Sequence, residues 1–176
     1  MPTRESAFST TLLVSPYQKH ELIIKVAEKM AEKYGIKIIL DGVFSHTGSD
    51  SIYFNKEKRY NTLGAYNSNE SPYKDWFTFE ENGKYKSWWG IDTLPETNED
   101  NESFIKYIAG KNGIAKKWLD CGAYGYRLDV ADELPDKFLD EFCKSVKELN
   151  KDYVVIGEVW EDATNKISHG GRRKYL

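Results

Sequence analysis

Apolar positions along this chain follow two periods. From Gln18 to Tyr34 they recur at helical spacing, with Leu22, Val26, Met30 and Tyr34 on one stripe and Ile23 and Ala27 beside it, so an amphipathic helix ended by Gly35 is predicted. Three runs are different: Ile36-Lys37-Ile38-Ile39-Leu40, Tyr124-Gly125-Tyr126-Arg127-Leu128 and Tyr153-Val154-Val155-Ile156-Gly157 are short, rich in β-branched and aromatic residues, and bounded by Gly and Asp. Such runs read as buried strands. Helical pattern returns over Ser103 to Leu119, where Gly110 and Gly113 should break or kink it, and again after Pro135, with Phe138, Leu139, Phe142, Cys143, Val146 and Leu149 as its stripe.

Each strand-like run ends in an acid: Asp41, Asp129 and Glu158. The order strand, helix, strand, helix, strand argues for an α/β fold with parallel strands and right-handed crossovers, which puts all C-terminal strand ends on one side. Three carboxylates should then converge at one mouth. Gathering like charges is costly unless chemistry or a metal requires it.

Residues 42 to 100 break the rhythm. They are dense in Asn, Ser, Tyr, Trp and Gly, and a stretch this long without a period predicts an irregular inserted subdomain packed over the strand ends. Residues 1 to 16 show no period and are taken as an unmatched leader, loose or a fragment of an earlier element, leaving 17 to 176 as the body of the domain. Among 176 residues, 40% are hydrophobic, enough for one packed core, and 25 basic against 28 acidic residues leave a net charge of -3. That balance disfavours nucleic acid as a partner. No apolar run approaches a membrane span and the start lacks a signal-peptide core, so a cytoplasmic protein without a membrane partner is expected. Cys121 and Cys143 read as reduced packing residues.

Arg127 and Asp129 are two apart on a strand and share a face, so a guanidinium should hold that carboxylate ionised, as suits a nucleophile; a structural ion pair would look the same. Glu158, followed by Trp160, should sit where apolar surroundings raise its proton affinity, as suits a general acid, with an indole to stack on a sugar; the plain alternative is a solvated strand-end Glu. His46 in Asp41-Gly42-Val43-Phe44-Ser45-His46 lies just past the first strand end and could donate into the same mouth. His20 and His169 have no supporting motif and are left as surface residues.

Together these segments resemble the α-amylase family of glycoside hydrolases, in which a strand-end Asp-x-x-x-Asn-His, a Gly-x-Arg-x-Asp and a Glu follow in this order on strands of a (β/α)8 barrel. Ser87-Trp88-Trp89-Gly90-Ile91-Asp92-Thr93-Leu94-Pro95 and Gly157-Glu158-Val159-Trp160-Glu161-Asp162-Ala163 are most similar to the neopullulanase and cyclomaltodextrinase branch. The resemblance, over roughly residues 20 to 176, implies part of a TIM barrel, about its third to fifth strands, with the inserted subdomain after the first confident strand. It implies an α-glucan as partner and a retaining double displacement with Asp129 as nucleophile and Glu158 as acid and base. Arg127 would orient Asp129, His46 would bind sugar hydroxyls, and Asp41 would support them. Trp88, Trp89 and Trp160 would stack on sugar, although the adjacent pair could equally pack in the core.

Two departures from the family pattern stand out. Ser45 replaces the Asn that often helps bind calcium, and a hydroxyl is the weaker ligand for a hard cation, so no cofactor is assigned and calcium is doubtful. The later Asn-His-Asp motif is absent, and a complete barrel takes about 250 residues. The chain therefore reads as a partial catalytic domain, inactive alone and inclined to self-associate through open sheet edges. A transglycosylase, a non-catalytic relative and a metal-dependent hydrolase are the alternatives. Retention of both acids argues against the second, and the lack of paired-His spacing against the third.

Overall fold

A computed structural model describes residues 7–9, 20–160 and 162. Four parallel strands, β1 (Ala7–Ser9), β2 (Lys37–Gly42), β3 (Gly125–Leu128) and β4 (Val154–Gly157), form one sheet in the order β1-β2-β3-β4. Helix α1 (His20–Tyr34) connects β1 to β2, α2 (Glu102–Ala109) and α3 (Ile114–Asp120) precede β3, and α4 (Asp136–Leu149) joins β3 to β4. This is the α/β arrangement expected, and it is consistent with a part of a (β/α) barrel.

The details sharpen the expectation in two places and depart from it in one. The leader holds an earlier element, because Ala7, Phe8 and Ser9 pair in parallel with Lys37, Ile38 and Ile39. A three-residue strand is too short to show a period in the sequence. The helical stretch after residue 100 breaks into two helices at the two expected glycines, with Gly110 closing α2 and Gly113 opening α3. Finally, Leu22, Val26, Met30 and Tyr34, the stripe of α1, are exposed among the described residues. Amphipathic period predicts an apolar face but not what covers it.

The core lies on one side of the sheet. Tyr126 and Leu128 of β3 point into it and meet Phe138, Phe142 and Val146 of α4, with Phe104, Ile105 and Ile108 of α2 and Phe44 closing the layer. Phe44 packs 5.5 Å from Phe138 and 5.2 Å from Phe142, ring centre to ring centre. Strand alternation then sends Arg127 to the other face, and Gly125 shares that parity. Gly125 admits no side chain, since a Cβ there would fall on the Val154 carbonyl of β4. Of the two cysteines, Cys121 is exposed at the end of α3, not in the core; neither forms a disulfide.

The insertion is irregular, with two short 3-10 turns, Lys74–Trp76 and Trp88–Gly90, and isolated antiparallel bridges. Its own core is Phe54, fully buried and ringed by Tyr66, Phe77, Phe79 and Tyr85 at 4.7 to 5.9 Å. Beside it the buried Asn55, at φ 53°, donates to the carbonyls of Tyr60 and Thr62 and accepts from the Tyr60 N–H. The bridge of His46 with Glu96, and the Thr47 and Ser49 N–H groups bonded to the Pro95 and Thr93 carbonyls, lay the far end of the insertion along the segment that leaves β2, while Ser87 pairs with Pro95 within that end. That is how residues distant in sequence reach the strand ends. No helix among the described residues is long and apolar enough to cross a membrane.

Candidate active site

Parallel register sets the geometry. Asp41 on β2 stands level with Arg127 on β3, and Glu158 follows β4 directly, its N–H bonded to the Leu128 carbonyl. One guanidinium therefore meets three acids: Nη1 of Arg127 lies 2.7 Å from Oδ1 of both Asp41 and Asp129, and Nη2 lies 2.5 Å from Oε1 of Glu158. Three carboxylates tolerate this proximity because the fork of donors faces all of them. After Asp129 the chain turns sharply at Val130, a β-branched residue at φ 39°, where a side chain is strained. The turn aims the Val130 N–H at Oε2 of Glu158, 3.2 Å away.

The electrostatics depart from the sequence reading for Glu158, and for Asp129 they add burial to the expected pairing with Arg127. Glu158 was expected to hold its proton in apolar surroundings. Burial does push its pKa up, but the Val130 N–H, the Arg127 charge and hydrogen bonds involving Trp160 and Asp129 outweigh it, and the net shift is downward. Asp129 was expected to be held ionised by Arg127. Burial outweighs the hydrogen bond and charge of Arg127, the charges of Glu158 and Asp41 add to it, and the net shift is upward. The physical reason is the donor set: the Val130 N–H and the Arg127 guanidinium face Glu158, which also keeps water on one side beside the exposed Ile156 and Gly157.

His46 lies at the same mouth. Its Nδ1 is 3.0 Å from the Ser45 hydroxyl and its ring stacks on Trp88 at 4.9 Å. Burial lowers its pKa, opposed by the charges of Asp129 and Glu133. Trp88 is half-buried and Trp89 exposed, so this pair is surface and not core. Trp88 and Trp89 stack at 5.1 Å, and Trp160 sets its ring edge-on 5.1 Å from Trp89. Sequence reasoning did not single out Glu133, which accepts both indole N–H groups, from Trp88 at 2.9 Å and Trp89 at 3.2 Å. Two adjacent tryptophans bring two donors that need acceptors, and that was the available signal. Of the other histidines, His20 opens α1 and His169 lies outside the described residues.

The donor set does not fit calcium. Where the family pattern has an amide, Ser45 offers a hydroxyl already engaged with His46, and the neighbouring Glu96 is neutralised by Lys86 at 2.5 Å. No group of three or more His, Cys, Asp or Glu among the described residues is arranged to hold a metal ion.

The model of the alpha-amylase catalytic domain matches residues 17–174. The chain belongs to this family. Its members are O-glycosyl hydrolases, and the match begins just after β1. Amylopullulanase of Thermoanaerobacterium saccharolyticum is 40% identical over 153 residues, 76% of this chain and 12% of that protein. Neopullulanase 2 of Thermoactinomyces vulgaris is 33% identical over 142 residues, 76% of this chain and 23% of that protein. Among solved structures, the Nostoc punctiforme debranching enzyme, in an acarbose-soaked crystal, superposes with a TM-score of 0.71 at 28% identity, over 89% of this chain and 37% of that one. The chain thus spans about a quarter or less of the length of these two curated relatives.

Proposed function

We propose that this alpha-amylase-family chain contributes the cleavage centre of an enzyme that hydrolyses α-1,4 and α-1,6 links of α-glucans with retention. The observation that carries the reading is the single guanidinium shared by Asp129 and Glu158, because one Arg side chain can grip two carboxylates only when they are neighbours. A retaining pair stands about 5 to 5.5 Å apart.

In the first step an Asp129 oxygen attacks the anomeric carbon, the glycosidic C–O bond breaks, and the departing oxygen takes a proton from Glu158. In the second, Glu158 as carboxylate takes a proton from water, whose oxygen attacks the same carbon and releases Asp129. Sugar entering between the acids strips water from Glu158 and draws it off Arg127, and both changes raise its proton affinity toward that of an acid. Arg127 keeps Asp129 aimed, Asp41 holds Arg127, and His46 offers its ring to a sugar hydroxyl. Relatives named amylopullulanase, neopullulanase and cyclomaltodextrinase support an α-glucan substrate. A sugar hydroxyl can replace water in the second step, and the exposed indoles beside Glu158 favour some transfer alongside hydrolysis.

The test is trapping. A Glu158→Gln variant treated with an activated α-glucosyl or α-maltosyl fluoride should accumulate a glycosyl ester, and peptide mass spectrometry should find it on Asp129. A label on another residue, or none while wild type turns the donor over, overturns the assignment.

A further inference from the structure

The double displacement makes no use of Glu133, although this carboxylate ties down Trp88 and Trp89, the latter the most exposed aromatic ring among the described residues. Trp89 and Trp160 are 65% and 61% exposed, and leaving such large apolar faces in water is costly unless something covers them. Trp89 also sits at φ 52°, a left-handed conformation that a bulky residue seldom takes. Something must hold it there. Trp88 and Trp89 each have one N–H and no acceptor of their own, and the two oxygens of Glu133 take one each. The carboxylate reaches across from the loop after β3, so it ties the insertion to the strand that carries Asp129. On the far side of Trp88 the stack continues into His46, and Glu133 also acts on that ring by its charge.

We infer that Glu133 is a positioning residue that holds Trp89 against Trp88, so that the open part of the Trp89 ring serves as a stacking platform for a glucosyl unit bound beside the Asp129–Glu158 pair. A carboxylate suits this task better than an amide, because Gln offers one acceptor oxygen for two indoles. This rests on the α-glucan reading above. The platform offers the apolar surface of Trp89 to the apolar face of a pyranose ring, while the hydroxyls around the ring rim remain free for solvent.

The experiment uses the 176-residue chain and its Glu133→Gln, Glu133→Ala and Trp89→Ala variants, with two readouts. Stacked indoles at 5.1 Å and 21° should give a tryptophan exciton couplet in the circular dichroism spectrum. The couplet should be weakened in Glu133→Gln, lost in Glu133→Ala and lost in Trp89→Ala, with the melting temperature unchanged because Glu133 is exposed. Maltohexaose affinity, followed by tryptophan fluorescence, should fall in the same order, by about tenfold for Glu133→Ala, which corresponds to about 1.4 kcal/mol. An intact couplet and unchanged affinity in Glu133→Ala overturn the inference. Wild-type chain that shows the couplet and its dependence on Glu133, yet binds no maltohexaose, upholds the positioning and sinks the glucan reading instead.

Discussion

Nη2 of Arg127 lies 2.5 Å from Oε1 of Glu158, so the residue proposed to give up a proton is paired with a cation. The same guanidinium holds Asp129, and its charge pulls both acids toward ionisation. Arg127 therefore sets the balance between a nucleophile that must be charged and an acid that must not be.

Removing that charge should move both acids in one direction. In the intact enzyme, Arg127→Gln should shift the acid limb of the kcat/KM profile to higher pH, because the cation that lowers both pKa values is gone. Arg127→Lys keeps a charge but loses the fork, so its limb should move less, while kcat still falls roughly a hundredfold or more. An unmoved acid limb in Arg127→Gln would show that the guanidinium does not govern these two groups.

Glu99 gives a stability prediction with a definite sign. Burial raises its pKa to about 8, helped by the Glu96 charge and opposed by its own backbone, Thr97 and Lys86. A raised folded-state pKa means that the folded chain holds a proton the unfolded chain has lost. The resulting stability is fully present below the ordinary carboxylate value near 4.5, declines as pH rises beyond it, and is gone above about 8. Melting temperature should accordingly fall between pH 6 and pH 9, and Glu99→Gln should flatten that dependence. A variant with the wild-type slope would rule out Glu99 as its source.

Asn55 tests what holds the insertion. Its amide satisfies Tyr60 and Thr62 carbonyls and the Tyr60 N–H in a fully buried place, and its φ of 53° suits Asn better than most residues. Asn55→Ala leaves those groups unpaired and should cost about 2 to 3 kcal/mol in denaturant unfolding. A loss under about 0.5 kcal/mol would mean that water replaces the amide.

Much of this was legible in the sequence because strands announce their ends. The apolar runs closed by Asp41, Asp129 and Glu158 pointed to the parallel sheet and to acids gathered at one mouth, while the register that sets Arg127 level with Asp41 is seen only in the structure. What could not be read was set by neighbours distant in the chain. Proton affinities depended on how open β4 leaves Glu158, the α1 stripe depended on what covers it, and Glu133 gained its partners only once the insertion folded back over β3. Strand β1 was hidden for a simpler reason, since three residues carry no period.

The last prediction joins the site to its exposure. Rate in such a centre comes from charges fixed in advance and water kept out, and here Glu158 meets solvent beside exposed Ile156 and Gly157. The 176-residue chain by itself should bind maltodextrin yet release reducing sugar from soluble starch, pullulan and cyclomaltodextrin only marginally above background. An enclosed version of the same site, in a longer protein that covers β4, should raise the proton affinity of Glu158 by desolvation and restore turnover. Robust turnover by the monodisperse chain, abolished in Asp129→Asn, would show that the open mouth is no handicap, and sedimentation of the active species would then tell whether two copies close one site.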